Sequence, residues 1–201
     1  MTDLFKEKAQ DWDTRELVRQ LSAAVGSAMR ERIPLRDDMT IMDFGAGTGL
    51  ITGQLADRVR QVVAVDTSPA MLEKLQAKPE LQGRVTARCQ DILAQPLDQK
   101  FDCIVSAMAM HHVEDTERLI RVLADHLKPG GHLALADLDT EDGHFHPEDV
   151  QGVYHHGFDR DALAALMERQ GLADIRFVTA HRVERENGVY PVFLVTAVKP
   201  A

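Results

Sequence analysis

The sequence predicts an α/β fold in which a mostly parallel sheet is covered by helices on both faces. Two observations predict it: five short apolar runs alternate with amphipathic helical segments, and two strand-like stretches joined by a polar turn follow near the C-terminus. Strands that alternate with helices need right-handed crossovers, which produce a parallel sheet between two helical layers. The chain has 201 residues, 44% of them hydrophobic, which suits a single core. We therefore expect one domain over residues 1–201.

The first 36 residues predict a helical cover that precedes the sheet. Apolar residues recur at helical spacing between residues 4 and 33, and they predict one or two helices that end before Pro34. The positions that carry this periodicity are Leu17, Leu21, Ala24, Val25 and Ala28.

The apolar runs predict the strands. Parallel strands are expected at residues 40–44, 62–65, 85–88, 103–106 and 132–136. Residues 173–180 and 190–198 predict an antiparallel hairpin, with the polar segment from Glu184 to Gly188 as its turn.

Three helices between the strands carry start signals. Ser68, Asp115 and Asp159 each precede a helical apolar pattern, and each side chain can accept a hydrogen bond from the first turn. Pro69 suits the first position of its helix, and Gly171 suits the end of the third helix. These residues are expected to set the helix boundaries.

Composition and charge narrow the function classes. The net charge of −9 weighs against a nucleic-acid partner, whose phosphates attract Lys and Arg, so a small-molecule partner is expected. No membrane association is expected, because no apolar run approaches about 20 residues and the start lacks a signal-peptide pattern. Cys89 and Cys103 form no CxxC pair, which favours a reducing, cytoplasmic location. The sequence predicts no particular oligomeric state.

A glycine-rich segment after the first strand predicts a ligand site. Asp43 precedes Gly45, Gly47 and Gly49, and the segment opens a helix. In parallel sheets, ligands bind at the carboxyl ends of the strands, where glycines allow the backbone to approach them closely. The dinucleotide pattern GxGxxG would need a glycine where Leu50 stands, so the spacing disfavours that pattern. A tight strand-to-helix turn without a ligand is the alternative interpretation.

Asp66, at the end of the second strand, makes a nucleoside the expected ligand. A carboxylate about 20 residues beyond such a loop can accept hydrogen bonds from both hydroxyls of a ribose. The alternative is a helix cap or a solvated turn, but Ser68 already supplies the cap. Together, the glycine loop and Asp66 therefore indicate a ligand that contains an adenosine-like ribose.

Five blocks in order make the chain resemble the class I S-adenosylmethionine-dependent methyltransferases over nearly its whole length. They are residues 43–49 (DFGAGTG), 65–71 (VDTSPAM), 90–92 (QDI), 101–113 (FDCIVSAMAMHHV) and 127–133 (LKPGGHL). The resemblance implies a Rossmann-like three-layer sandwich, with a seven-stranded, mostly parallel sheet and a reversed last strand. It also implies S-adenosyl-L-methionine as the cofactor.

The same resemblance implies roles for individual residues. The glycine loop would pass beside the methionine part of the cofactor, Asp66 would hold the ribose, and Asp91 would accept from the adenine amino group. The full set implied to bind the cofactor is Asp43, Gly45, Ala46, Gly47, Gly49, Asp66, Thr67, Met71, Asp91, Ile92, Ala107 and Met108. Ile92 would flank the adenine ring, and Ala107 and Met108 would lie near the sulfonium.

Two segments resemble covers of the site. Phe5 and Trp12 lie in a stretch that is similar to the N-terminal helices of small-molecule members, although ordinary helix packing would explain them equally well. Residues 138–158 are expected to form an insert over the acceptor pocket.

No residue pattern is diagnostic of catalysis, because methyl transfer from a sulfonium depends mainly on positioning. The candidate bases are His111 and His112 after the fourth strand, Asp137 at the end of the fifth, and His155 in the insert. The alternative for His111 and His112 is packing or capping at a strand end.

A metal is not expected. His144 and His146, with carboxylates nearby that include Glu148 and Asp149, could bind one, but polar loops rich in histidine are usually only solvated.

The sequence thus predicts methyl transfer from S-adenosylmethionine to an unidentified, small-molecule acceptor. The alternatives are a non-catalytic regulatory protein that binds S-adenosylmethionine or S-adenosylhomocysteine, and a nicotinamide-dependent oxidoreductase, which the glycine spacing disfavours. A macromolecular acceptor stays open, although Ser106 to Met110 contain no proline or aromatic residue of the kind found in DNA and protein-amide methyltransferases.

Overall fold

A seven-stranded sheet organises the chain. The computed structural model describes residues 3–147 and 150–201. The strands lie in the order β3-β2-β1-β4-β5-β7-β6, and β7 runs antiparallel to both of its neighbours. Their bounds are β1 Thr40–Phe44, β2 Gln61–Asp66, β3 Val85–Cys89, β4 Phe101–Ala107, β5 Leu127–Leu138, β6 Ala173–Arg185 and β7 Gly188–Val198. This arrangement confirms the predicted sheet with its antiparallel C-terminal hairpin.

Within the described residues, five α-helices accompany the strands. They are α1 Glu16–Arg32, α2 Leu50–Leu55, α3 Pro69–Gln76, α4 Thr116–His126 and α5 Arg160–Arg169. Before α1, the chain forms two short 3-10 turns, Lys8–Gln10 and Trp12–Thr14, where the sequence allowed a further helix. No helix among the described residues is long and apolar enough to cross a membrane.

The three predicted caps are confirmed. The Ser68 side chain accepts a hydrogen bond from the Met71 backbone N–H at 3.2 Å. Asp115 and Asp159 accept from the N–H groups three residues ahead at 2.8 and 2.9 Å. Short polar side chains thus satisfy donors at the start of α3, α4 and α5 that the helices cannot satisfy themselves.

Alternating side chains on the strands build a core on each face of the sheet. Ile41 in β1 packs in the cluster formed with α1, α2 and α3, whereas its neighbour Met42 packs in the cluster formed with α4 and α5. Successive strand side chains point to opposite faces, so a buried parallel strand is apolar throughout. The two clusters make the three-layer sandwich that the sequence predicted.

The C-terminal hairpin is longer and tighter than expected. Pairing between β6 and β7 continues to Arg185 and Gly188, so two residues form the turn where five were predicted. The polar tip is held by the segment 138–158, because Arg185 donates to the Phe145 carbonyl and Asn187 to the His144 carbonyl. These long-range bonds order residues whose local sequence reads as a loop.

Candidate functional site

A cavity of about 990 Å³ lies at the carboxyl ends of β1, β2 and β4. Its walls come from the glycine loop after β1, the end of β2, the turn after β3, and the segment after β4. The N-terminal turns, α1, β6 and the segment 138–158 contribute the rest of its lining. This is the edge where parallel sheets bind ligands, and the volume suits a small molecule.

The glycine loop is shaped by backbone conformations that favour glycine. Gly45, Gly47 and Gly49 have φ values of +67°, +54° and +83°. A Cβ on Gly45 would come within 2.4 Å of the Ala109 Cβ, whereas a Cβ on Gly47 would meet no atom within 4 Å. Because Gly47 and its neighbour Ala46 line the cavity, the missing side chain of Gly47 leaves backbone open to a ligand.

Gly49 differs from the other two glycines. It is not among the cavity-lining residues, and a Cβ there would come within 2.9 Å of Leu75. Gly49 therefore serves the turn into α2 and its packing on α3, and the structure does not place it where the resemblance implied cofactor contact.

Asp43 is a buried acid in the cavity wall. It is 1% exposed, and the Thr52 hydroxyl donates to its carboxylate at 2.6 Å. Burial raises the pKa of Asp43 to about 7, against the opposing effect of the Thr52 hydrogen bond, and the nearby charge of Asp66 raises it further.

Asp66 links the glycine loop to the end of β2. One carboxylate oxygen accepts from the Gly47 N–H and the other from the Ser68 N–H, each at 2.8 Å. Burial raises the pKa of Asp66, and these backbone N–H groups act in the opposite direction. A carboxylate has about four acceptor positions, so these bonds leave acceptor capacity for a ligand.

The turn after β3 adds a second acid to the same end of the cavity. Asp91 lines the cavity and accepts from the Leu93 N–H at 2.9 Å. Thr67 and Met71 lie on the cavity wall as well. Ile92 does not: it is fully buried among the residues that pack with α4. The tight turn at Asp91 directs Ile92 into the core and Leu93 into the cavity, so the Ile92 side chain does not lie on the cavity wall, where a residue flanking the adenine ring was expected.

Ala107 and Met108 line the cavity where β4 ends. Met108 has a positive φ of +56°, which is uncommon for a residue with a side chain, and its N–H donates to the Ala136 carbonyl at 2.8 Å. The neighbouring strand thus holds this backbone in a sparsely populated conformation in the cavity wall.

Of the four candidate bases, His111 and His112 line the cavity, and Asp137 lies behind them. His111 is 1% exposed, and its Nδ1 lies 2.8 Å from Asp137 Oδ1. His112 Nδ1 lies 2.6 Å from the Gly152 carbonyl. Burial is the main cause that lowers the pKa of His112 to about 4, and the nearby His111 is the second.

His155 does not reach the cavity. Its Nε2 lies 2.9 Å from the Val113 carbonyl and 3.1 Å from the Thr116 hydroxyl. It therefore holds the loop before α4 and lies outside the cavity that the candidate bases were expected to share. The sequence could not show this, because it does not reveal which way the segment folds back.

His146 joins the histidines of the cavity although the sequence suggested it only as a metal ligand. Its ring lies 5.0 Å from the His111 ring, centroid to centroid, and burial lowers its pKa to about 4. We call His111, His112 and His146 the histidine cluster. Its only sequence signal was the histidine-rich composition of residues 138–158.

The described residues contain no group of three His, Cys, Asp or Glu side chains that could hold a metal ion. His144 is exposed and lies 2.8 Å from Asp142, away from the inward-facing His146. Glu148 and Asp149, which the sequence placed near this pair, lie outside the described residues.

The N-terminal turns form a wall of the cavity. Phe5 and Trp12 line it, and the Phe5 ring lies 5.2 Å from the His112 ring. Asp13 ties this segment to the glycine loop, because it accepts from the Thr48 hydroxyl at 2.5 Å and lies 2.7 Å from Lys78 Nζ. The aromatic residues thus contribute to the cavity as well as to packing.

Sequence comparison identifies the family. A family model described as a methyltransferase domain matches residues 41–131. An uncharacterized methyltransferase of Schizosaccharomyces pombe is 31% identical over 160 residues, which is 71% of this chain and 56% of that protein. The chain thus spans little more than half the length of this relative.

Solved structures share the fold. A chain from the complex between the Haloferax volcanii Trm112 methyltransferase activator and a methyltransferase superposes with a TM-score of 0.81 over 100% of both chains, at 18% identity. The N-methyltransferase NodS from Bradyrhizobium japonicum, in complex with S-adenosyl-L-homocysteine, superposes with a TM-score of 0.74 over 99% of this chain and 95% of that one, at 16% identity. With its glycine loop, its sheet order and these relatives, the chain belongs to the class I, Rossmann-like methyltransferases.

Proposed function

We propose that the protein transfers a methyl group from S-adenosyl-L-methionine to a small-molecule acceptor. One observation carries the proposal: a single cavity joins an open glycine backbone and two carboxylates at one end to the histidine cluster and aromatic walls at the other. The first end suits an adenosine-containing ligand, and the second end leaves room for an acceptor.

The residues present fit this cofactor. The open backbone at Gly47 accommodates the methionine part, Asp66 has free acceptor positions for the ribose hydroxyls, and Asp91 can accept from the adenine amino group. Leu93 supplies apolar surface beside Asp91, and Asp43, Ala107 and Met108 line the remaining wall.

S-adenosylmethionine supplies a methyl group bound to a sulfonium, which is a good leaving group, so the protein mainly has to position the acceptor. Holding reactants in line can contribute up to about 7–11 kcal/mol. The walls that would do so include Phe5, Trp12, Phe145 and Tyr154, which come from the N-terminal turns and the segment 138–158. Enclosure from both segments favours an acceptor of small-molecule size.

Calorimetric titration of ligand-free protein with S-adenosylhomocysteine, and with NAD as a comparison, tests the cofactor. We expect micromolar binding of S-adenosylhomocysteine alone. Asp66→Ala should weaken this binding by about 1–3 kcal/mol, roughly 5- to 150-fold in Kd, since it removes hydrogen bonds to a charged group.

Asp98→Ala is the matched control, because Asp98 is exposed and does not line the cavity. Binding of NAD alone, or an unchanged affinity in Asp66→Ala, would contradict the proposal.

A further inference from the structure

His111 lines the cavity and has a ring nitrogen without a hydrogen-bond partner. The residue is 1% exposed, and its Nε2 has no hydrogen-bond partner among the described residues. Buried polar atoms in native proteins are nearly always paired, so an unpaired one in a cavity wall indicates a ligand atom that completes it.

Asp137 determines what this nitrogen can do. The carboxylate is fully buried and meets His111 twice, through Nδ1 at 2.8 Å and through the backbone N–H at 3.2 Å. The Leu138 N–H also donates to it at 2.8 Å. A carboxylate only accepts, so Nδ1 of His111 carries the hydrogen, and in the neutral ring Nε2 then offers a lone pair.

The charges around the histidine cluster select the acceptor. Burial keeps His112 and His146 neutral near pH 7, since it lowers the pKa of each to about 4. Lys8 acts on both of these rings and Arg185 acts on His146, and both cations line the cavity. Asp137 acts on His112 in the opposite direction. Beside Lys8 and Arg185, an oxygen atom that is losing its proton is stabilised relative to an ammonium acceptor.

The walls suit an aromatic acceptor. The Phe5 ring meets His112 edge-on with 5.2 Å between centroids, and the Phe145 ring meets His146 in the same way at 4.9 Å. The edges and faces of these aromatic side chains can pack against the ring of an aromatic acceptor. A phenolic hydroxyl has a pKa near 10, as in tyrosine, and is therefore a more accessible proton donor to an imidazole than an aliphatic alcohol.

We propose that His111 is the proton acceptor for O-methylation of a phenolic small molecule, with Asp137 as its positioning residue; this rests on the proposed function. The acceptor oxygen uses a lone pair to form its bond to the methyl carbon, and the C–S electron pair stays on sulfur as a neutral thioether. The O–H bond breaks, its electrons remain on oxygen, and the proton moves to Nε2 of His111. The resulting imidazolium lies against the Asp137 carboxylate.

The first test reads the tautomer directly and needs no acceptor. Ring nitrogens of protein labelled with ¹⁵N-histidine are observed by NMR near neutral pH, and the His111 signals are assigned by their loss in His111→Gln. We expect Nδ1–H in the wild type. Nε2–H in the wild type would overturn the assignment.

The second test measures turnover of S-adenosylmethionine with 4-ethylphenol and 4-ethylaniline, which share one shape and differ in the attacking atom. We expect methylation of the phenol. His111→Gln and Asp137→Asn should reduce it by about 10²- to 10⁴-fold, with unchanged affinity for S-adenosylhomocysteine. His155→Gln is the control, because that histidine lies outside the cavity.

The outcomes separate this proposal from the function on which it rests. Preferred turnover of the aniline, turnover of neither compound by protein that binds S-adenosylhomocysteine, or full activity in His111→Gln would each overturn the phenolic assignment and leave cofactor binding intact. Failure to bind S-adenosylhomocysteine would overturn the proposed function itself, and the phenolic assignment with it.

Discussion

Asp43→Asn should change how the stability of this protein depends on pH. Asp43 is 1% exposed, and burial raises the pKa of its carboxyl from 3.8 to about 7. The folded protein therefore keeps a proton that the unfolded chain releases between about pH 4 and pH 7. Because the folded state binds more protons in this window, its stability falls as pH rises through it. Asparagine is nearly isosteric and stays neutral, so the variant should lack this loss.

The two pKa values set the magnitude. Their difference, 7 minus 3.8, is about 3 units, and each unit corresponds to about 1.4 kcal/mol. The full penalty of ionised Asp43 is then about 4 kcal/mol well above pH 7, of which about 3 kcal/mol develops between about pH 5 and pH 8. The free energy of unfolding of Asp43→Asn relative to the wild type should increase by about this amount over the same interval.

Urea unfolding of the ligand-free wild type and Asp43→Asn, at about pH 5 and about pH 8, measures the effect. Asp98→Asn removes an exposed carboxyl and should show no such pH-dependent difference from the wild type. If Asp43→Asn and the wild type had parallel pH profiles, the carboxyl of Asp43 would not be destabilised by burial and the reasoning would be refuted.

Two further changes test the shape of the cavity. Gly47→Ala and Gly83→Ala both place a side chain at positive φ with no atom within 4 Å. Each should therefore lower the free energy of unfolding in urea by about 1–2 kcal/mol. Only Gly47→Ala should weaken S-adenosylhomocysteine binding in calorimetry, and equal affinities of the two variants would mean that the ligand does not pass Gly47. Asp13→Ala removes the contacts of Asp13 with Thr48 and Lys78. Hydrogen exchange should then accelerate in residues 5–13 by about 5- to 10-fold, as for the loss of a net hydrogen bond of about 1 kcal/mol. Asp11→Ala is the control, because its partner Arg15 lies in the same N-terminal segment; equal protection in both variants would contradict the role of Asp13.

Much of the fold was accessible from local sequence. The apolar runs placed all seven strands, and Ser68, Asp115 and Asp159 marked three helix starts, because strand burial and helix capping depend on residues within a few positions of each other. The hairpin tip was missed, since Arg185 is ordered by the Phe145 carbonyl 40 residues away.

The candidate site divides in the same way. The glycine loop and Asp66 were found from the sequence because their function depends on backbone conformation and on a fixed place at strand ends. The sequence could not predict which way side chains point after a strand. The turn at Asp91 decides that Ile92 enters the core and Leu93 the cavity.

The histidines show what the tertiary structure alone decided. The sequence proposed His111, His112, Asp137 and His155 as equals, but folding pairs His111 with Asp137 across 26 positions, turns His155 away and brings in His146. By itself, the sequence determined the sheet, the caps and the glycine loop, because these follow from local periodicity and backbone preference. The chemistry at the acceptor end depends on which buried side chains meet across two strands and a folded-back segment, and such contacts exist only once the core has packed.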